Sequence, residues 1–151
     1  MKIALRYGLT ITAGLIAWVV ITHTLISDPK SVVHSFGAFT FFNLLHFAGI
    51  FLGLRALERE KNSKPTFKEG VKQGVLISFV YAVTASLFFA GALLVIGPKW
   101  MAGEAANPDM PMWLVALQAF AGLTVMSMLF GLAYSSIISF FLAKRLSTDN
   151  D

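Results

Sequence analysis

The sequence predicts an all-α, polytopic integral membrane bundle of four helices, with both termini in the cytoplasm and no soluble domain. Three observations carry this. First, the fixed charges are few, 12 Lys or Arg and 8 Asp or Glu in 151 residues, and they are gathered into short stretches. Second, the gaps between those stretches are long: residues 7–27, 31–54, 73–98 and 110–143 form uncharged runs of 21, 24, 26 and 34 residues. Third, 56% of residues are hydrophobic and 13% charged. A water-soluble globule and a disordered chain both need polar residues at short intervals, so both classes are excluded.

A bilayer core about 30 Å thick needs roughly 20 apolar residues at about 1.5 Å of rise each. All four runs meet that length. A backbone in lipid must satisfy its own N–H and C=O groups, and a barrel would show alternating segments of about ten residues. Helical spans are therefore expected over 7–26, 35–54, 74–96 and 113–142, within a single membrane domain covering 1–151.

Span one follows Lys2 and Arg6. It exceeds the apolar length of a secretory signal peptide, about 7 to 15 residues, and Thr24-Leu25-Ile26-Ser27-Asp28-Pro29 holds no small-x-small cleavage pattern. It reads as a retained span. Ser27-Asp28-Pro29 then offers a cap and a first-turn proline ahead of span two. Span two leads into 55–73, a basic cytoplasmic connection in which Arg55, Glu58 and Arg59 suit a solvated helix end with internal ion pairs. Thr66 and Glu69 fit the capping-box pattern, so helix three should begin about two turns before its span. Residues 97–112 hold Pro98, Pro108 and Pro111 and read as an irregular external loop, flanked by Trp100 and Trp113 at interfacial depth. Span four is long enough to tilt or to continue past the membrane.

Orientation follows from the basic residues. The N-terminal flank, the second connection and the C-terminal flank hold 10 of the 12, while the first and third connections hold only Lys30 and Lys99. The positive-inside rule places both termini and the middle connection in the cytoplasm. The sequence pI of about 9.6 is then a topology signal, with nucleic acid not implied as a partner. The basic connection could also attract anionic head groups, though Glu58, Glu60 and Glu69 dilute it.

The four-span layout, the Tyr7-Gly8-Leu9 start of span one, and Thr66-Phe67-Lys68-Glu69-Gly70 followed by Gln73-Gly74-Val75-Leu76-Ile77-Ser78 resemble the bacterial membrane proteins grouped as domain of unknown function 4199. The resemblance implies a bacterial source, a cytoplasmic (inner) membrane address and four helices. It implies no activity and no catalytic residue. A fainter internal echo links Gly8-Leu9-Thr10-Ile11 to Gly74-Val75-Leu76-Ile77, and Leu52-Gly53-Leu54-Arg55 to Leu142-Ala143-Lys144-Arg145. Two hairpins inserted in the same direction would produce it, as in parallel-repeat transporters, and shared hydropathy explains it about as well.

Little catalytic chemistry is available. No Asp, Glu, Lys or Arg lies inside a span, which removes the usual proton-relay carboxylate and buried counter-ion. There is no Cys, hence no thiolate nucleophile and no Cys-based metal site. No enzyme activity, cofactor or metal site is expected. Three histidines remain. His23 and His34 lie near the outer ends of spans one and two, where they are weak candidates for a haem pair and more simply head-group residues. His46 falls about 15 Å along helix two, near the bilayer midplane. Asn43 shares its face, and Gly49 and Gly53 continue the stripe as a helix-packing motif.

Small or polar residues also share a face on helix four at Thr124, Ser127, Gly131 and Ser135, and helix three offers Ser78, Tyr81 and Ala85. Gln118 is a further candidate for the polar face. The preferred expectation is that Asn43 and His46 bond to hydroxyls on helices three and four and fix helix register. Such bonds are typically worth about 0.6 kcal/mol. The expected function is a small structural or interaction protein, packed in the lipid bilayer and forming a homo-oligomer through the glycine stripe of helix two or binding a membrane-protein partner. A minimal transporter or channel subunit using the Asn43 and His46 face is the alternative, and a haem-binding membrane protein the third reading.

Overall fold

The computed structural model describes residues 1–25, 32–96 and 110–148. Among them are four helices and no strand: α1 (Lys2–Leu25), α2 (Val32–Lys61), α3 (Phe67–Ile96) and α4 (Met112–Thr148). Each is long and apolar enough to cross a membrane.

The helix ends follow local chemistry. α2 runs past its apolar stretch because no Gly or Pro interrupts Arg55 to Lys61 and because Arg55 Nη1 donates to Glu58 Oε2 at 2.9 Å, one turn on. It stops at Asn62, whose φ of 51° puts it in the left-handed region that closes helix C-termini. Pro65 then bars helix until Thr66 caps α3. Thr66 Oγ1 accepts from the Glu69 backbone N–H at 3.3 Å, and Glu69 Oε2 accepts in return from the Thr66 backbone N–H at 3.0 Å. Within the 55–73 connection, only residues 62–66 are therefore non-helical. α4 opens on the Pro111 carbonyl, which accepts from Leu114 and Val115 N–H. Residues 26–31, 97–109 and 149–151 lie outside the described residues, and with them the cap expected at Ser27-Asp28-Pro29, Trp100 and all of the expected external loop but 110–112.

The helices run up, down, up, down. Gly14 packs on Leu45 and Gly49 on Ile11, which makes α1 and α2 antiparallel. Gly8 packs on Val80 while Thr12 meets Thr84, so α1 and α3 run parallel. The chain start, the α2–α3 turn and the α4 end thus share one end of the bundle. α1 and α4 stand at opposite corners and do not approach each other among the described residues, while α2 and α3 touch across the short diagonal.

α3 and α4 form the most extensive seam. A Cβ added to Gly70, Gly74 or Gly131 would overlap Ser139, Ser135 or Ser78 respectively. Gly or Ser therefore meets Gly or Ser every fourth residue along three turns, and the two backbones approach as closely as side chains permit. Backbones this close bring many atom pairs into van der Waals contact, which holds the two helices together. Ile11, Ile50, Leu54 and Ile77 form the main apolar core near the turn end, between α1, α2 and α3. A smaller cluster of Leu93, Val115 and Ala116 joins α3 to α4 at the other end.

The echoed hairpins do not make equivalent contacts. Gly49 of the first hairpin meets Ile11, whereas its counterpart Ser139 in the second meets Gly70.

Candidate functional site

The polar centre is built from α2, α3 and α4. Asn43 and His46 are three residues apart on α2, so both project to one side. His46 is only 3% exposed. Its Nε2 lies 3.0 Å from Ser78 Oγ on α3. Ser78 Oγ in turn donates to the Gly74 carbonyl at 2.9 Å. A hydroxyl has a single proton. When that proton goes to Gly74, Ser78 accepts from His46 Nε2, and when Ser78 turns it to His46 the ring nitrogen accepts, so the direction of this bond follows the imidazole tautomer.

Aromatic rings enclose the imidazole. Tyr81 lies with its ring centroid 4.7 Å away, and Tyr134 meets it edge-on at 5.6 Å. The Tyr134 hydroxyl donates to Asn43 Oδ1 at 2.5 Å, while Asn43 Nδ2 donates to the Phe39 carbonyl one turn back at 2.7 Å. Ser127 of α4 stands close enough to the Tyr81 hydroxyl to interact with it. Gly131 gives the site its shape: a Cβ there would overlap Ser78 and lie 3.5 Å from His46 Cε1. Without a glycine at this point α4 could not close over the His46–Ser78 bond.

Further hydroxyls bridge the helices away from this centre. Thr12 and Thr84 join α1 to α3 at 2.6 Å, and Thr124 donates to Ser86 across the α3–α4 seam at 3.0 Å. Ser78 and Ser135 also lie within donating reach of carbonyls one turn back on their own helices, as does whichever of Thr12 and Thr84 accepts in the bond between them. This back-bonding lets a hydroxyl sit in a water-poor interior without a ligand. Trp18 Nε1, Gln73 Nε2 and Ser139 Oγ are buried with no hydrogen-bond partner among the described residues.

The sequence candidates fall into four groups. Asn43 and His46 are brought together, with Ser78, Tyr81 and Gly131 around them. Gly49 and Gly53 are buried, but under the chain's own Ile11 and Ile77, so the stripe is already covered. That corrects the expectation of oligomerisation through it: a second copy would have to use another surface. Gln118 is exposed, and it precedes Tyr134 by 16 residues, about 24 Å along α4. It is not part of the polar face, because it stands far toward the other end of the bundle. His23 and His34 lie on α1 and α2, but their side chains are outside the described residues. Among those residues, no three His, Asp or Glu come together as a metal site would require.

Sequence reading missed Tyr134 as the partner of Asn43, and Gly70, Gly74 and Ser139 as seam residues. The second omission had a visible signal, small residues at 70, 74 and 78 facing small residues at 131, 135 and 139. The first had none, because a tyrosine within a long apolar helix carries no mark of its partner. No family model, curated protein or solved structure matches this chain.

Proposed function

We propose that this chain is a small integral protein of the bacterial cytoplasmic membrane with a structural or interaction role, its buried polar residues serving to hold four helices in register. The single observation behind this is the way those residues use one another: His46 is buried on Ser78, Ser78 on Gly74, and Asn43 on Tyr134 and Phe39. A translocation site needs polar groups that can be offered to a passing solute. Here the described contacts of the His46 and Asn43 centre are made between helices or back to the helix that carries them. The bacterial address rests on the family resemblance, and the cytoplasmic placing of both termini rests on the distribution of basic residues.

Replacing His46 by Leu together with Asn43 by Ala tests the reading. The double variant should lose stability in mild detergent, by roughly 1–3 kcal/mol for the bonds and the partners left unpaired. Proteoliposomes of the parent and of the variant should show the same background flux of protons, alkali cations and small neutral solutes. Flux well above protein-free liposomes that disappears in the variant would establish the transporter reading instead.

A further inference from the structure

We infer that the outward face of α3 is a seat for an anionic phospholipid, with Lys68 and Lys72 holding the phosphate and Leu76 and Phe79 lying along an acyl chain. The inference rests on the membrane reading above and adds a specific partner to it. Lys68, Lys72, Leu76, Phe79 and Leu87 fall on one side of the helix at spacings of three, four and eight residues, and all five are exposed. That side points away from the bundle, because α3 uses Gly70, Gly74 and Ser78 against α4 and Ile77, Val80 and Thr84 against α1 and α2.

The order along the stripe matches the order along a lipid. The two lysines come first, at the end where the chain start, the 62–66 turn and the α4 end gather, and only apolar side chains follow. One helical turn separates the lysines, about 6 Å between Cβ atoms, which lets two ammonium groups bracket a single phosphate. Neither lysine takes part in an ion pair among the described residues. The one acid on α3, Glu69, is engaged by Lys61 and by Thr66, so it does not neutralise them. Arg55 on α2 offers a contrast, since its guanidinium is held by Glu58 and lies over Phe51.

The test uses the full chain purified in mild detergent, offered phosphatidylglycerol or phosphatidylcholine with identical acyl chains, with retained lipid counted by native mass spectrometry. Phosphatidylglycerol should be retained in preference. Lys68→Gln and Lys72→Gln should each reduce that preference about fivefold, the weight expected of one basic residue at an anionic surface. Arg59→Gln, an exposed charge on α2, should leave it unchanged. Equal retention of both lipids would overturn the seat while leaving the membrane reading intact, whereas retention of neither would count against both. An equal loss in Arg59→Gln would replace the seat by a diffuse basic collar. Displacement of phosphatidylglycerol by millimolar inorganic phosphate would show that a soluble anion is what the lysines bind.

Discussion

At the residue scale the decisive property is smallness. Gly74 is buried against Ser135, and an added Cβ would overlap the serine Cβ and come within 3.2 Å of Ile50 Cγ2. Gly74→Ala should therefore push α3 and α4 apart and cost about 1–3 kcal/mol, the usual range for overpacking. Ser135 is a suitable place to give the space back, because its hydroxyl donates only to Gly131 and Leu132 carbonyls of its own helix. Its removal orphans no group on a neighbouring helix. The double variant Gly74→Ala, Ser135→Gly should recover most of the loss, giving a coupling energy above about 0.5 kcal/mol in a double-mutant cycle read by unfolding in mixed micelles. Strict additivity of the two substitutions would mean that these residues are not in contact. Ser78 would be a poorer choice for such a swap, since it bonds His46 Nε2 and its loss would leave a buried polar group unpaired.

At the scale of the element, the turn between α2 and α3 holds the most local information. Asn62 closes one helix and the Thr66–Glu69 box opens the next, with Lys61 reaching across the turn to Glu69. The Lys61 ammonium, followed by the two Thr66 bonds, holds the Glu69 carboxyl at about 2, below the usual carboxylate range. Glu69 lies ahead of the apolar stretch beginning at Gly74, so this is solvent chemistry. A carboxyl with a lowered folded value adds stability above its ordinary value, near 4.5, and loses it as the pH falls toward about 2. Thermal unfolding in detergent should consequently show a decline over that window, and Glu69→Gln should remove part of its steepness. Thr66→Ala should lower stability by about 1 kcal/mol at neutral pH. A Thr66→Ala variant with unchanged melting would mean that the cap contributes nothing. This turn was legible in the sequence because a capping box is a contiguous pattern. Helix existence was legible for the same reason, since each uncharged run is continuous. The Asn43–Tyr134 bond was not, being a contact between side chains 91 residues apart that no local spacing encodes. Gln118 failed as a candidate because polarity and helix membership say nothing about level along the axis.

At the scale of the molecule, up-and-down topology and charge placement make one statement about direction. The contacts of Gly8, Gly14, Gly49, Gly70 and Gly131 put the chain start, the α2–α3 turn and the end of α4 at one end of the bundle, and 10 of the 12 basic residues belong to those segments. An orientation with that end outside would carry nearly all the positive charge across the membrane, against the positive-inside bias. The absence of cysteine makes the orientation directly measurable, since a single introduced thiol is the only one present. Ser63→Cys, at an exposed position of the 62–66 turn, should resist a membrane-impermeant maleimide in intact spheroplasts and react once the membrane is opened. Ala105→Cys, in the segment between α3 and α4, should react in intact spheroplasts. The two sites lie at the two ends of α3 in the chain, so labelling on the same side would mean that α3 does not cross the bilayer. The reverse pattern would keep the four spans and invert the protein, and would move Lys68 and Lys72 to the outer leaflet.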